Sequence, residues 1–300
     1  MKVLITGGTG LVGSFLTDLL LSNNIEVMVL SRSEKESQVK GLSYAVWNLA
    51  KETIDIEAVC SVDHIIHLAG ANIGDKRWTD KQKELIIDSR VKTADLIYKT
   101  LKENKHQVKT FVSASGADCY GLETTNNCYE EAAAFGDDFL AKVCVAWENA
   151  ANQFNHLGIR IVSLRTGVVC ASKDSALQKM IKPIALGFGS PLGSGKQVMS
   201  LIHIQDLCNM YLHAINNVDL QGAYNAVAVN NTNEEVTQKV AKILHKPLFM
   251  PKVPAFMLRL FFGEMASIIL EGSAVDNTKI KATGFEFKYD SLESVLKDVL

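Results

Sequence analysis

Short apolar runs alternate with longer amphipathic segments over the first half of this 300-residue chain. Apolar runs of four or five residues without polar alternation are typical of strands that are buried on both faces. They predict strands at Lys2–Thr6, Glu26–Leu30, His64–Leu68, Thr110–Ser113 and Arg160–Leu164. The helical period between them predicts helices at Leu11–Leu21, 79–103 and Asp138–Leu157. Strands that alternate with helices in this way predict a parallel, doubly wound α/β sheet.

The pattern changes after about Gly167. Leu186–Lys196 carries four glycines and a proline, which predicts a loop over a cleft. A helix is predicted from His203 to about Asn216, and Asp206 is expected to cap or charge its first turn. Further helices are predicted at 233–244 and 291–300. We therefore divide the chain into a core at 1–167 and a segment at 168–300, which supplies the remaining core strands and a smaller C-terminal α/β lobe.

Composition and charge narrow the class of protein. An apolar fraction of 47% is enough for a buried core, and a formal charge of −2 gives no reason to expect a nucleic-acid or membrane partner. The six cysteines form no C-x-x-C pair and the seven histidines no ligand cluster, so we expect buried free thiols and no metal. The chain starts directly with a strand, and Phe256–Leu270 is too short to span a bilayer, which together predict a cytoplasmic protein.

The strongest chemical signal is a glycine loop between the first strand and the first helix. Thr6–Gly13 reads T-G-G-T-G-L-V-G, in which the glycines at 7, 10 and 13 have the spacing G-x-x-G-x-x-G. The first glycine permits a tight turn, the second lets the backbone approach a pyrophosphate at the helix N-terminus, and the third lets the helix pack on the sheet. This strand–turn–helix context predicts a dinucleotide site on a Rossmann fold, and a tight β–α turn without a ligand is the alternative.

The end of the second strand indicates which dinucleotide is bound. NAD sites usually place an acid here for the ribose hydroxyls, whereas an arginine accommodates the 2′-phosphate of NADP. Ser31-Arg32 occupies this position, with no acid before Glu34, and this favours NADP. We expect contacts to the cofactor from residues of the loop and of the strand ends: Gly7, Thr9, Gly10, Leu11, Val12, Gly13, Ser31, Arg32, Leu68, Ala69, Gly70, Arg90 and Ser113.

Several separated motifs in this order resemble one family across essentially the whole chain. They are Leu68–Ile73, Lys76-Arg77-Trp78, Asp88–Val91, Phe139-Leu140-Ala141, Trp147-Glu148, Leu164–Val168, Pro191–Gly195, Ile202–Ile204, Gly263–Met265 and Gly284–Phe287. The chain is similar to atypical, extended short-chain dehydrogenases/reductases of the nucleoside-diphosphate-sugar epimerase type, which carry a characteristic C-terminal extension. The resemblance implies NADP binding and a substrate cleft between the core and the C-terminal lobe. It does not define the reaction, because one fold carries many chemistries.

Short-chain dehydrogenases typically use a Ser or Thr after one strand and a Tyr-x-x-x-Lys pair on the next helix, where the lysine lowers the pKa of the tyrosine. With Glu148 as the anchor, the tyrosine position falls on Leu140 and the lysine position on Cys144. Lys142 lies on another side of this helix and is expected to face solvent. The acid/base pair of the superfamily is therefore absent.

Three residues are candidates for a replacement. Ser115 supplies a hydroxyl at a strand end, Tyr120 follows the same strand, and Glu131 lies in the loop before the helix. Tyr120 is equally consistent with a packed tyrosine, and Glu131 with a solvated or capping carboxylate. Cys144 is a reactive thiol or an inert buried one. Arg90 and Arg165 fit either a ligand contact or a structural ion pair, and Arg77-Trp78 fit a phosphate and a ring.

Two functional hypotheses follow. The first is an NADP-dependent oxidoreductase or epimerase that acts on a small polar molecule such as a nucleotide sugar, with the reacting carbon held near Ser115. The second is a non-catalytic NADP(H)-binding redox sensor or scaffold, because loss of an acid/base pair beside an intact cofactor loop fits such a protein. Turnover of a substrate with NADPH distinguishes the two.

Overall fold

Seven parallel strands form the central sheet in a computed structural model that describes all 300 residues. The strand order is β11-β8-β6-β5-β1-β2-β3, and the short β4 adds an antiparallel edge beside β3. The strands, in chain order, are β1 (Lys2–Thr6), β2 (Glu26–Ser31), β3 (Leu42–Asn48), β4 (Thr53–Ile54), β5 (His64–His67), β6 (Thr110–Gly116), β7 (Cys128–Tyr129), β8 (Arg160–Thr166), β9 (Val168–Cys170), β10 (Val198–His203), β11 (Gly222–Ala226), β12 (Val229–Thr232) and β13 (Ala274–Val275). The order from β3 to β8 is that of a doubly wound Rossmann sheet, so the predicted fold class is confirmed.

Eleven α-helices connect and cover these strands. They are α1 (Leu11–Ser22), α2 (Ile56–Cys60), α3 (Asp80–Glu103), α4 (Phe139–Asn152), α5 (Ala176–Ala185), α6 (Ile204–Asn216), α7 (Asn233–Ile243), α8 (Ala255–Phe262), α9 (Ser267–Leu270), α10 (Thr278–Lys281) and α11 (Leu292–Val299). Side chains that accept backbone N–H groups of the first turn determine where several of these helices begin. Thr79 accepts the N–H of Gln82 at α3, and Asp138 accepts that of Ala141 at α4. A 3-10 turn at Gln153–Leu157 replaces the end of the predicted helix after 152.

The core lies on both faces of the central sheet. One cluster of 25 buried residues joins the sheet to α1 and α6, and a second of 20 residues joins it to α3 and α4. The inner strands β1, β5, β6 and β8 are therefore covered on both sides, which explains why their sequences are apolar without alternation. β3, near the edge of the sheet, alternates instead between buried and exposed residues. β1 lies between β2 and β5 in this sheet. The strands that follow β1 are added on one side of it up to β3, and those from β5 onward are added on its other side, so the strand order reverses at β1. Ligands of doubly wound sheets bind in the crevice at such a switch point.

The residues after 167 contribute to two bodies. β11 and α6 return to the central sheet and its first cluster. A three-stranded sheet in the order β12-β10-β9 packs with α5, α7 and α11 around a separate cluster of 12 buried residues. This second body is the smaller C-terminal α/β lobe, and its use as a substrate lobe stays a prediction.

Two sequence-based expectations hold only in part. Asp206 is the acidic residue of the first turn of α6, as predicted, but its side chain does not cap the helix. It is fully buried, and its two oxygens accept the backbone N–H groups of Lys288 (3.0 Å) and Tyr289 (2.9 Å), which attaches the C-terminal segment to α6. The six cysteines are free thiols as expected, but Cys128 is exposed and Cys60 only half-buried.

Candidate functional site

The glycine loop has the geometry that its spacing predicts. Gly7 has a φ of +71°, in the left-handed region, and a Cβ there would lie 2.8 Å from the carbonyl carbon of Leu68. At Gly13, in the first turn of α1, a Cβ would overlap with the backbone of Gly7 and Gly8. Both positions exclude side chains, so the loop turns tightly and α1 begins directly against the strand ends.

The N-terminus of α1 is open to a ligand. Gly10 is the N-cap residue and makes no side-chain capping bond, and no acidic residue stands in the first turn. Thr9 and Gly10 are exposed, and Leu11 and Val12 are half-buried. The unpaired N–H groups and the positive end of the helix dipole therefore face solvent at the switch point, where a pyrophosphate would be stabilised.

The end of β2 presents an unengaged cation. Ser31 is buried and its Oγ accepts the N–H of Ser33 at 3.4 Å. Arg32 is exposed, and its guanidinium forms no hydrogen bond or ion pair with another residue. A free guanidinium suits a phosphate because its planar array of donors matches two phosphate oxygens at once.

The end of β5 is a tightly held turn. The Oγ1 of Thr6 accepts the N–H groups of Leu68 (3.2 Å) and Ala69 (3.1 Å). A Cβ on Gly70 would lie 2.8 Å from the guanidinium carbon of Arg90, so only glycine lets this arginine approach. Small residues thus keep the backbone accessible where the ribose side of a dinucleotide is expected.

Arg90 is buried and has no acidic partner. It donates to the carbonyl oxygens of Ala71 (3.1 Å) and Ile86 (2.8 Å), and its guanidinium lies 4.6 Å from the centre of the Trp147 ring. Burial lowers the pKa of Arg90 to about 10. The structural alternative of an ion pair is therefore wrong. Its buried Nε has no partner in the protein, and this orphaned donor together with the side-chain-free cradle at Gly7 and Gly13 fits a bound dinucleotide.

The positions of the superfamily's tyrosine and lysine are filled by packing. Leu140 is 2% exposed and packs with Trp78, Val143 and Met265. Cys144 is also buried, and burial raises its pKa to about 12, so it is an inert thiol. Lys142 is exposed as predicted. A Cβ on Gly116, at the end of β6, would lie 3.1 Å from the Sγ of Cys144, which shows that the strand end and this helix face meet.

The three predicted catalytic residues come together in one network around Arg165. This arginine binds both carboxylate oxygens of Glu148, at 2.8 and 2.9 Å, and donates to the hydroxyl of Tyr120 and the carbonyl of Glu131, both at 3.0 Å. Ser115 donates to Glu148 at 2.8 Å. A buried, bidentate ion pair of this kind holds β8 to α4 and the loop before it.

Each of these predicted catalytic groups has a structural partner. The Tyr120 hydroxyl donates to the Oδ1 of Asn225 at 2.6 Å, and burial raises its pKa above the ordinary value. Glu131 neither caps a helix nor stands free in solvent, because its Oε1 accepts the N–H of Asn225 at 2.8 Å. Ser113, which was predicted as a cofactor contact, is buried and donates to the carbonyl of Ala114 at 2.9 Å. A catalytic role for Ser115, Tyr120 or Glu131 stays a prediction, and it requires these bonds to exchange.

Asp118 carries no motif in the sequence, but its environment is unusual. It lies in the 3-10 turn Ala117–Tyr120 that directly follows β6. Burial, and then the negative charge of Asp138, raise its pKa to about 6. No hydrogen bond from the protein stabilises its carboxylate. The available sequence signal is an acid three residues past Ser115, at a strand end that faces the switch point.

Arg77 and Trp78, expected as ligand contacts, join the core to the C-terminal segment. The guanidinium of Arg77 donates to the carbonyl oxygens of Leu260 and Phe261, at 2.8 Å for Phe261, and so caps the end of α8. The indole N–H of Trp78 donates to the carbonyl of Ile73 at 2.9 Å. The Arg77 bonds, and the packing of Trp78 in one cluster with Met265, hold the segment after 253 against the core.

The fold and the loop geometry define a Rossmann-type dinucleotide-binding protein, and comparison with known proteins gives the family. The family model described as the NAD dependent epimerase/dehydratase family matches residues 3–229. A second model, described as a domain of unknown function (DUF1731), matches residues 253–299. The chain therefore belongs to the NAD-dependent epimerase/dehydratase family.

Relatives and solved structures match over the full length. The chain is 34% identical over 300 residues to the epimerase family protein SAR0825 of Staphylococcus aureus, covering 100% of this chain and 99% of that protein. It is 32% identical to the epimerase family protein YfhF of Bacillus subtilis, covering 100% and 98%. The human epimerase family protein SDR39U1, solved with NADPH, superposes with a TM-score of 0.87 at 30% identity, covering 100% and 99%. No helix in this structure has the length and apolar character needed to cross a bilayer.

Proposed function

We propose that this protein binds NADP(H) at the α1 loop and acts as an oxidoreductase or epimerase on a small polar molecule such as a nucleotide sugar. The observation that carries the cofactor assignment is Arg32, an exposed guanidinium without a partner at the strand end where the 2′-phosphate is expected. The NADPH bound by SDR39U1, which is similar over the whole chain, supports the same choice. Other structural neighbours contain NAD, so the phosphate contact is the point to test.

The binding residues have separate tasks in this proposal. The loop from Gly7 to Gly13 and the open α1 N-terminus hold the pyrophosphate, and Arg32 holds the 2′-phosphate. Leu68, Ala69 and Gly70 keep the backbone close to the ribose, and Arg90 supports that turn through its bond to Ala71. The dinucleotide, when bound, supplies a hydride donor or acceptor.

Exchange of Arg32 for alanine tests the cofactor. Loss of a charge-assisted contact costs about 1.5–3 kcal/mol, which is roughly a 10- to 100-fold weaker Kd for NADPH. NADH has no 2′-phosphate, so its Kd should change less than about threefold. Lys40→Ala, at another exposed cation of the same loop, is the matched control and should change neither. Isothermal titration with both cofactors measures these constants, and equal losses for NADPH and NADH would refute the assignment.

A non-catalytic NADP(H) sensor or scaffold is the second candidate, and a specific observation favours it. Leu140 and Cys144 occupy the positions of the superfamily's tyrosine and lysine, and both are packed in buried apolar clusters. Oxidation of NADPH, followed by absorbance with a panel of carbonyl compounds and nucleotide sugars, separates the candidates. Turnover supports the enzyme, whereas tight NADPH binding without turnover on the panel supports the sensor.

A further inference from the structure

The Asp118 carboxyl lies where the end of β6 meets the face of α4 that carries Cys144. Its Oδ2 lies 3.8 Å from the position that a Cβ on Gly116 would occupy, and the same position lies 3.1 Å from the Sγ of Cys144. Cys144 marks where the superfamily places its lysine. Asp118 therefore brings a titratable group to the end of β6, beside the helix position where the superfamily has its lysine.

The surroundings of Asp118 favour its neutral form. The turn that carries it is packed against α4, and no cation forms an ion pair with it. Asp138, at the start of α4, adds negative charge while its own oxygens accept the N–H groups of Leu122 (2.6 Å) and Ala141 (3.0 Å). The other titratable or charged groups around this junction are Cys119 on the same turn, Cys144 and Glu148 on α4, Arg90 on α3 and Arg165 on β8.

The two nearby arginines are already engaged. Arg165 is bound to both oxygens of Glu148, and Arg90 donates to backbone carbonyls. Neither is available to hold Asp118 as a carboxylate. A carboxyl whose pKa is raised to about 6, and which has no fixed partner, is suited to exchange a proton with a ligand.

We propose that Asp118 is the proton donor and acceptor of this site, in place of the absent tyrosine and lysine. This role rests on the function proposed above, with the reduced nicotinamide as hydride donor. As a hydride adds to a substrate carbonyl carbon, the O–H bond of Asp118 breaks and its proton forms a new O–H bond with the former carbonyl oxygen. The carbonyl becomes an alcohol, and the Asp118 carboxylate regains a proton from water. In the reverse direction the carboxylate accepts the alcohol proton.

The decisive experiment uses wild-type protein and needs no substrate. The Asp118 carboxyl resonance of protein labelled with ¹³C-aspartate is followed against pH in the NADPH and NADP⁺ complexes, and is assigned by its loss in Asp118→Asn. The oxidised ring carries a positive charge that the reduced ring lacks. If Asp118 contacts this ring, its pKa should be lower with NADP⁺ than with NADPH by about one unit or more, as expected for an opposite charge within about 4–6 Å.

The outcomes separate this role from the proposed function. If both cofactors bind and the pKa of Asp118 is the same in the two complexes, the proton-transfer role is refuted and the cofactor assignment is left intact. If the wild-type protein does not bind NADPH, both the role and the cofactor assignment are refuted. Asp118→Asn should keep the Kd for NADPH within about twofold and lower kcat on any substrate found by roughly 10²- to 10⁴-fold. Asp118→Glu should recover part of that loss. Asp137→Asn, at an exposed acid before α4, is the matched control and should leave all these values unchanged.

Discussion

Replacement of Asp118 by asparagine should have an effect on stability that depends on pH. The unfolding free energy of Asp118→Asn, relative to that of the wild type, should rise as the pH goes from acid to neutral. Burial raises the pKa of this carboxyl from an ordinary 3.8 to about 6. In the unfolded chain the carboxyl loses its proton near the ordinary pKa of 3.8. At a pH between 3.8 and about 6, the folded state therefore binds this proton more tightly than the unfolded state does. The favourable effect of the protonated carboxyl is complete below the unfolded pKa and is lost as the pH rises through the folded pKa.

The size of this effect follows from the two pKa values. Each unit of difference corresponds to about 1.4 kcal/mol, so ionisation of Asp118 costs the folded state about 3 kcal/mol at a pH well above 6. Between about pH 4.5 and about pH 8 the wild type should lose about 2 kcal/mol of unfolding free energy from this group alone. Asp118→Asn does not titrate, so its stability relative to the wild type should rise by that amount over the interval.

Urea denaturation at several pH values measures this difference. The pH-independent cost of placing an amide in the turn cancels, because only the change with pH is compared. Asp137→Asn, at an exposed acid just before α4, serves as the control. A constant difference between Asp118→Asn and the wild type across the pH range would refute the argument that burial raises the pKa of Asp118.

Three other substitutions test the structural argument. Glu148→Gln should lower the unfolding free energy in urea by about 3–5 kcal/mol because it leaves Arg165 buried without its carboxylate, and a loss below about 1 kcal/mol would contradict this. Asp206→Asn weakens two hydrogen bonds to a buried charge, so the amide protons of residues 288 and 289 should exchange with solvent at least about tenfold faster, and unchanged protection would count against the attachment. Gly13→Ala should abolish NADPH binding as measured by calorimetry, since its methyl group overlaps with the loop backbone, and normal affinity would show that the loop is less constrained.

Most of the first half of the fold could be predicted because its signals are local, but β3, whose buried and exposed residues alternate, was missed. An apolar run buried on both faces, a glycine loop and a helical period lie next to one another along the chain, and the structure places them from β1 to α4 with small shifts at the ends. The absence of the superfamily's tyrosine and lysine from α4 could be predicted for the same reason. They depend on the spacing of Leu140 and Cys144 along one helix, which is fixed by helical geometry.

The features that the sequence did not predict depend on contacts between distant segments. Asp206 looks like a residue of a helix start, but its partners are the N–H groups of residues 288 and 289, more than eighty positions later. β12 contains Asn230 and Asn231 and lacks an apolar pattern, and it is a strand because it pairs with β10. The perturbed pKa of Asp118 arises from burial and from the charge of Asp138, twenty residues away. No local pattern encodes such contacts.

The substitution of leucine for the superfamily's tyrosine has a consequence beyond the loss of a proton donor. Leu140 belongs to a cluster with Trp78 and Met265, and Met265 lies in the C-terminal extension. An apolar side chain at this position thus helps to hold the extension against the core, where a phenol would require a hydrogen-bond partner. The face of α4 that carries proton-transfer groups in related enzymes is used here for packing between the two parts of the chain. In the catalytic role proposed above, proton transfer therefore falls to another element, and the turn after β6, which carries the titratable Asp118, lies next to α4.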